Sequence, residues 1–258
     1  HGLALHDALV IAQCARNQGQ RLQNRVGKDQ VTVGHISWPD ALADLPMLIA
    51  GNPERWHKSR PIVERVDGLG LYPVVDSVDT IEAWLASGVR SIQLRLPPMD
   101  ETLLRREVQR AVKLCIPFGA RLFVSSHWQL ALLYGAYGVH LEPTDLARAN
   151  LKAIVDGGLH IGLSVSNWGD LAEALAVRPG YVSIEYTGQQ ADFIRRLAHW
   201  VELLADRFSL TVRGDSTAAE IEPLLATGIR SIAPVNVSAE SMSRMAKGFP
   251  GLARQQAG

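Results

Sequence analysis

The stretch RLFVSSHWQLALLYGAYGVHLEPTD, residues 121–145, decides the fold. It opens on a β-forming run at Leu122, Phe123 and Val124, then passes through a short helical pattern at 129–134. A second short apolar run, GVHL at 138–141, follows directly. The change of period from two to helical and back is the mark of a strand–helix–strand unit.

The same beat continues outward on both sides. Strand candidates fall at 71–75, 91–95, 122–125, 138–141, 160–164, 181–184, 209–212 and 231–234. Between them, amphipathic stretches at 80–87, 101–115, 170–177, 193–205 and 217–226 read as helices. Eight strands alternating with helices predict an α/β protein, a (β/α)8 TIM barrel. A doubly wound sheet is the alternative, but no Gly-rich phosphate fingerprint follows the first strand. Gly88, Gly135 and Gly228 each stand just ahead of a strand, as glycines at helix C-termini do.

The chain of 258 residues is 47% hydrophobic, with 26 Lys and Arg against 26 Asp and Glu. That apolar content can fill a sizeable core, and the charge balance offers no electrostatic reason for nucleic acid or an anionic membrane as partner. No run reaches the roughly 18 apolar residues of a membrane span, and the first residues do not form a signal peptide. Cys14 and Cys115 share no metal or redox spacing. They read as buried free thiols, so a cytoplasmic protein is expected.

Residues 1–69 have another texture. A helix is expected over 3–22, where Leu5, Leu9, Ala12 and Ala15 recur at helical spacing and Gly19 suggests fraying. A polar segment with Pro39, Pro46, Pro53 and Pro61 follows, and one helix with an irregular tail buries little alone. The expected division is an N-terminal extension at 1–69 and a barrel at 70–258.

The segments GLYPVVDS (70–77), SIQLR (91–95), RLFV (121–124), GVHL (138–141) and ATGIRSIAPV (226–235) resemble the thiamine phosphate synthase family. Members are (β/α)8 transferases that join a pyrimidine diphosphate to a thiazole phosphate. The resemblance implies substrate contacts at Gln93, Arg95, Ser164 and Gly214, with Asn236 standing for a Ser in a second phosphate-binding turn. It implies magnesium as cofactor, with Asp145 as a ligand. Several strand ends depart from the family pattern. Pro97 replaces a phosphate-binding Lys, and Ser125-Ser126 replaces an Asn-Asp whose Asp holds the metal. Glu142-Pro143 replaces Gly-Gln, leaving Glu142 or Ser126 as candidate substitutes for the lost ligand. Ser166 stands for a His, and Glu185 for a Gly ahead of a shortened loop that lacks the Thr-x-Thr-Lys. Arg213-Gly214-Asp215-Ser216 stands where the family has a Gly-Gly turn; Gly214 is kept, and Asp215 would set a carboxylate beside the phosphate unless Arg213 offsets it.

These departures imply a synthase of reduced activity. The alternative they allow is a degenerate barrel that binds a thiamine-pathway phosphate or supports a fused kinase. The segments LHDALVIAQCARNQG (5–19) and GHISWPDALADLPML (34–48) resemble the C-terminal end of hydroxymethylpyrimidine phosphate kinase, which implies such a fused or associated partner. The remaining conspicuous residues read as structural. His140 is expected as a hydrogen-bonded core imidazole, and Trp38, Trp56, Trp84, Trp168 and Trp200 as packing. The charge run at 101–110 reads as a solvated helix face.

Overall fold

The computed structural model describes residues 4–26, 30–32, 39–49, 63–186, 190–215, 220–235 and 237–249. The chain begins with helix α1 (Leu5–Arg21) and a small antiparallel hairpin, β1 (Asn24–Val26) and β2 (Gln30–Thr32). Eight parallel strands follow: β3 (Val74–Val75), β4 (Ser91–Leu94), β5 (Arg121–Ser125), β6 (Gly138–Leu141), β7 (His160–Val165), β8 (Tyr181–Glu185), β9 (Ser209–Gly214) and β10 (Ile232–Pro234). The helices between them are α2 (Val78–Ala86), α3 (Glu101–Cys115), α4 (Trp128–Tyr134), α5 (Leu151–Asp156), α6 (Trp168–Val177), α7 (Gln190–Leu204) and α8 (Ile221–Ala226), and α9 (Ala239–Gly248) closes the order.

Each strand pairs with its neighbours in sequence, and the first meets the last. Leu71 bridges Ile232 and Val74 bridges Val235. The Tyr72 N–H donates to the Ile232 carbonyl at 2.8 Å, and the Ile232 N–H to that of Gly70 at 2.9 Å. The sheet is therefore a closed (β/α)8 barrel, not an open doubly wound sheet. The first strand is shorter than its sequence suggests because Pro73 has no N–H to give the ladder. Its carbonyl still accepts the Gln93 N–H at 2.9 Å.

Alternation along the strands divides the core in two. Outward residues such as Ile92, Leu94, Leu122, Val124, Val139 and Leu141 are buried against the helix layer. Inward ones fill the lumen, whose lower half holds Tyr72, Val74, Phe123, Tyr181 and Ala233 above Val66 and Leu69. Tyr72, Phe123 and Tyr181 meet edge to face at centroid distances of 5.3–5.7 Å. Gly138 and Gly162 make room for those rings. A Cβ on Gly138 would sit 2.7 Å from Phe123, and one on Gly162 would overlap Tyr181. Arg121 ties down the segment below the barrel, donating to the Asp67 carbonyl at 2.8 Å and to that of Gly68.

The helices start and stop where local chemistry directs. Asp100 accepts the Leu103 N–H at 2.9 Å at the start of α3, and Asn167 accepts the Asp170 N–H at 2.9 Å at the start of α6. Gly88, Gly135 and Gly228 have φ of 91°, 73° and 94°, the left-handed geometry expected of helix C-termini. Trp84, Trp168 and Trp200 are packing residues, the last two edge to face at 5.5 Å. Trp38 and Trp56 lie outside the described residues.

Helix α1 runs through Gly19 without fraying, and Gly19 is buried. It docks on α6 with a face other than the one its leucines mark. Asp7, Val10, Cys14 and Gln18 face inward, while Leu5 and Leu9 are 78% and 63% exposed. The reason is polar: α6 presents an N–H at Gly169, and the Asp7 carboxylate accepts it at 2.9 Å. Val10, Cys14 and Leu45 join the same core as the barrel helices. Arg21 forks onto Asp44 at 3.0 and 2.7 Å, fixing the turn after the hairpin. Both cysteines are buried and free. Burial, aided by the Asp44 and Asp40 carboxylates, pushes the Cys14 thiol up to about 11, and burial alone pushes Cys115 up to about 12.

Candidate active site

Three strands deliver charged side chains into the barrel mouth by the period of two. Glu142 lies two residues beyond His140, Glu185 two beyond Ser183, and Arg213 two beyond Thr211. His140, Ser183 and Thr211 are wholly buried, so the next inward position on each chain points to the same axis at the C-terminal rim.

There the three charges meet. Arg213 donates from Nη1 to Glu142 Oε1 at 2.7 Å and from Nη2 to Glu142 Oε2 at 3.2 Å. Nη2 also donates to Glu185 Oε1, and Glu185 Oε2 accepts the Ser166 hydroxyl at 2.8 Å. The Arg213 side chain is only 5% exposed, so the fork roofs the lumen. Burial by itself would raise the Glu142 carboxyl, but the Arg213 hydrogen bonds and nearby positive charge hold it down at about 2. Burial likewise opposes the Arg213 charge, and the two carboxylates overcome it. One guanidinium between two carboxylates leaves the group with a net charge of about −1 at neutral pH.

Beneath this roof runs a neutral relay. His140 Nε2 lies 2.8 Å from Ser164 Oγ, and Nδ1 lies 2.8 Å from Tyr181 OH, which is 2.7 Å from Tyr72 OH. Arg213 Nη1 stands 3.4 Å from His140 Nε2. A guanidinium can only donate, so Nε2 is assigned as the acceptor and Nδ1 as the carrier of the proton. Burial, then the Arg213 charge, drives the imidazole down to about 3. His140 is thus a core imidazole, as its sequence setting suggests.

The residues that the family resemblance singles out fall in different surroundings. Gln93 is fully buried and donates from Nε2 to Ser125 Oγ at 2.9 Å. Its Oε1, with Ser183 Oγ and Thr211 Oγ1, has no hydrogen-bond partner among the described residues. Ser164 is 1% exposed and bound to His140. Arg95 is exposed and lines a cavity of about 520 Å³ with Asp76, Thr80, Trp84, Pro97 and Val235. Among the described residues its guanidinium is paired with no carboxylate. Gly214 is small for a packing reason, since a Cβ there would lie 2.6 Å from Tyr186 Cβ. Asn236 lies outside the described residues.

Asp145 accepts two hydrogen bonds on Oδ2, from Ser126 Oγ at 2.8 Å and from the Glu142 N–H at 2.9 Å. It therefore fastens the turn at Pro143–Asp145 to the end of β5. Ser126 has φ of 60°, a left-handed conformation unusual for a residue with a Cβ. Its N–H bond to the His140 carbonyl, at 2.9 Å, and its side-chain bond to Asp145 hold it there. Among the described residues no three His, Cys, Asp or Glu converge as metal ligands. Glu142 binds Arg213 and, in a capping box, the Asp145 N–H, so its oxygens are engaged and protein atoms alone do not build a magnesium cage here. Nor is any described helix long and apolar enough to cross a membrane.

The inward convergence of Glu142 and Glu185 on Arg213 was not read from the sequence. The signal was present in the period of two, but it needs the strand register to be seen.

A closed parallel barrel with its polar and charged side chains gathered at the C-terminal strand ends belongs to the class of (β/α)8 proteins that carry their sites on that face. Within the class, the model of the thiamine monophosphate synthase family matches residues 71–237, and the chain belongs to that family. It is 40% identical over 176 residues to the thiamine-phosphate synthase of Salmonella typhimurium, covering 65% of this chain and 83% of that protein. The thiamine-phosphate synthase of Photorhabdus laumondii is 38% identical over 176 residues, covering 65% and 81%. In fold the chain is similar to a thiamine phosphate pyrophosphorylase from Pyrococcus furiosus, with a TM-score of 0.61 and 20% identity over 72% of this chain and 96% of that one.

Proposed function

We propose that this chain is a thiamine phosphate synthase with a rebuilt mouth, which condenses hydroxymethylpyrimidine diphosphate and thiazole phosphate slowly. The observation that supports the reduced rate is the fork of Arg213 on Glu142 and Glu185, which sets net negative charge at the barrel mouth, unfavourable to phosphates. In the reaction, the bond from the pyrimidine methylene carbon to the diphosphate oxygen breaks and its electron pair leaves with diphosphate. The thiazole nitrogen lone pair then forms the new carbon–nitrogen bond, giving thiamine phosphate and pyrophosphate.

The roles follow from exposure and charge. Arg95, exposed beside the cavity, donates to the diphosphate. Gln93 and Ser164 orient the pyrimidine once the roof shifts, because both are buried beneath it. Gly214 and Asn236 contact the thiazole phosphate. Glu142 and Glu185 stabilise a positive pyrimidine carbon while opposing the phosphates that flank it. Magnesium, when bound, neutralises charge on the leaving diphosphate. Asp145 is the residue that would hold it.

The degenerate-barrel reading is favoured by the completeness of the fork, which leaves Arg213 committed to protein carboxylates. In that reading residues 1–69 dock the barrel to a hydroxymethylpyrimidine phosphate kinase, and the outward Leu5 and Leu9 of α1 suit such a contact. The two buried thiols fit a reducing cytoplasm in either reading.

The test is to incubate the full chain with both substrates and magnesium and to measure thiamine phosphate. Slow turnover abolished by Asp145→Ala supports the synthase. Absence of turnover together with a rise in melting temperature on adding thiazole phosphate supports the binding barrel. No turnover and no rise removes both.

A further inference from the structure

We propose that the N-terminal helix is a working part of the barrel mouth, with Asp7 and His6 as positioning residues for the Arg213 fork. This holds whichever ligand the mouth takes, because it rests on an unbroken series of contacts and not on the reaction. The series begins where α1 meets the N-terminus of α6. Asp7 Oδ1 accepts the Gly169 N–H at 2.9 Å, and His6 Nε2 lies 3.3 Å from Asn167 Oδ1. His6 Nε2 is also 3.4 Å from Asp7 Oδ1, so the two side chains act on α6 as a pair. The seat is close: a Cβ on Gly169 would overlap the His6 ring.

What they hold is the segment that leaves β7 for α6. Asn167 Oδ1 accepts the Asp170 N–H at 2.9 Å, and Asp170 Oδ2 accepts the Ser166 N–H at 2.8 Å. These reciprocal bonds fix the backbone of Ser166 relative to the first turn of α6. Ser166 then spends its hydroxyl on Glu185 Oε2 at 2.8 Å, and Glu185 binds Arg213 through its other oxygen. Arg213 completes the path to Glu142 at 2.7 Å.

Two features make this more than proximity. Ser166 is the only neutral donor seen on Glu185 among the described residues, so its position selects which Glu185 oxygen remains for Arg213. In addition, Asp7 takes a helix N-terminal N–H that α6 cannot satisfy within itself, so losing the carboxylate leaves that buried donor open. The first turn of α6 then has cause to move, carrying Ser166 with it.

The experiment follows the guanidinium itself. Nitrogen-15 NMR of the full chain records the Nε and Nη signals of Arg213, assigned by their loss in Arg213→Lys. Asp7→Ala is expected to shift or broaden those signals, Ser166→Ala to reproduce the change, and Asp7→Asn, which retains an acceptor oxygen, to restore the native spectrum. A purely structural α1 would lower the melting temperature of Asp7→Ala and leave the Arg213 signals in place, and that result overturns the proposal. Should Asp7→Ala fail to fold, His6→Ala takes its place, with unmoved Arg213 signals again the contrary result.

Discussion

At the scale of single residues, the mouth is governed by Arg213 and the groups that surround it. Removing its charge leaves Glu142 and Glu185 without a cationic partner in a half-buried setting. Arg213→Met is expected to cost about 3–5 kcal/mol in urea unfolding, the usual penalty for breaking one side of a buried pair. Adding Glu142→Gln and Glu185→Gln in the same chain should recover most of it. The two shifted groups also set an acid dependence. His140 titrates near 3 when folded and near 6.5 when unfolded, so its contribution is complete above about 6.5 and is lost as pH falls toward 3. Glu142 goes from 4.5 to about 2 on folding, so its contribution is present above 4.5 and is lost as pH falls toward 2. Unfolding free energies from urea titrations should therefore decline from pH 7 downward, by at most about 1.4 kcal/mol per pH unit for each group. In His140→Gln the upper part of the decline should disappear; an unchanged profile would contradict the neutral, buried imidazole.

At the scale of elements, Gly214 separates packing from chemistry. Its smallness is demanded by Tyr186 across the β8–β9 corner, so Gly214→Ala should cost about 1–3 kcal/mol with no ligand present. Thermal unfolding checks this, and the same substitution in a Tyr186→Gly chain should cost much less. Elements were also the level at which the sequence was most legible. Helix α3 begins and ends where its amphipathic pattern does, because Asp100 caps it and its apolar stripe is clear. All eight barrel strands fall within their expected runs or extend them by a residue or two. The hairpin of β1 and β2 was not anticipated, since three-residue strands carry no alternation to read. The docking face of α1 was hidden for another reason. It is set by a polar demand from α6, more than a hundred residues away in sequence, while the leucines that reveal the helix point outward.

At the scale of the molecule, a closed barrel gives each strand two neighbours and brings side chains from β6, β8 and β9 onto one axis. That closure explains why the individual substitutions Glu142, Glu185 and Arg213 could be seen in the sequence while their union could not. In the sequence Glu142 reads as a candidate metal ligand, Glu185 as standing for a Gly and Arg213 as part of an altered turn, and only the register shows that they satisfy one another. The proposed function takes the internal ion group of Arg213, Glu142 and Glu185 to stand in place of phosphate affinity at the mouth. The most direct measurement is kcat/KM for thiamine phosphate formation, taken side by side with the Salmonella typhimurium relative at saturating magnesium. The account predicts a value lower by roughly 100-fold or more, the effect of losing even one preorganised phosphate-stabilising donor. Equal efficiency in the two proteins would contradict it.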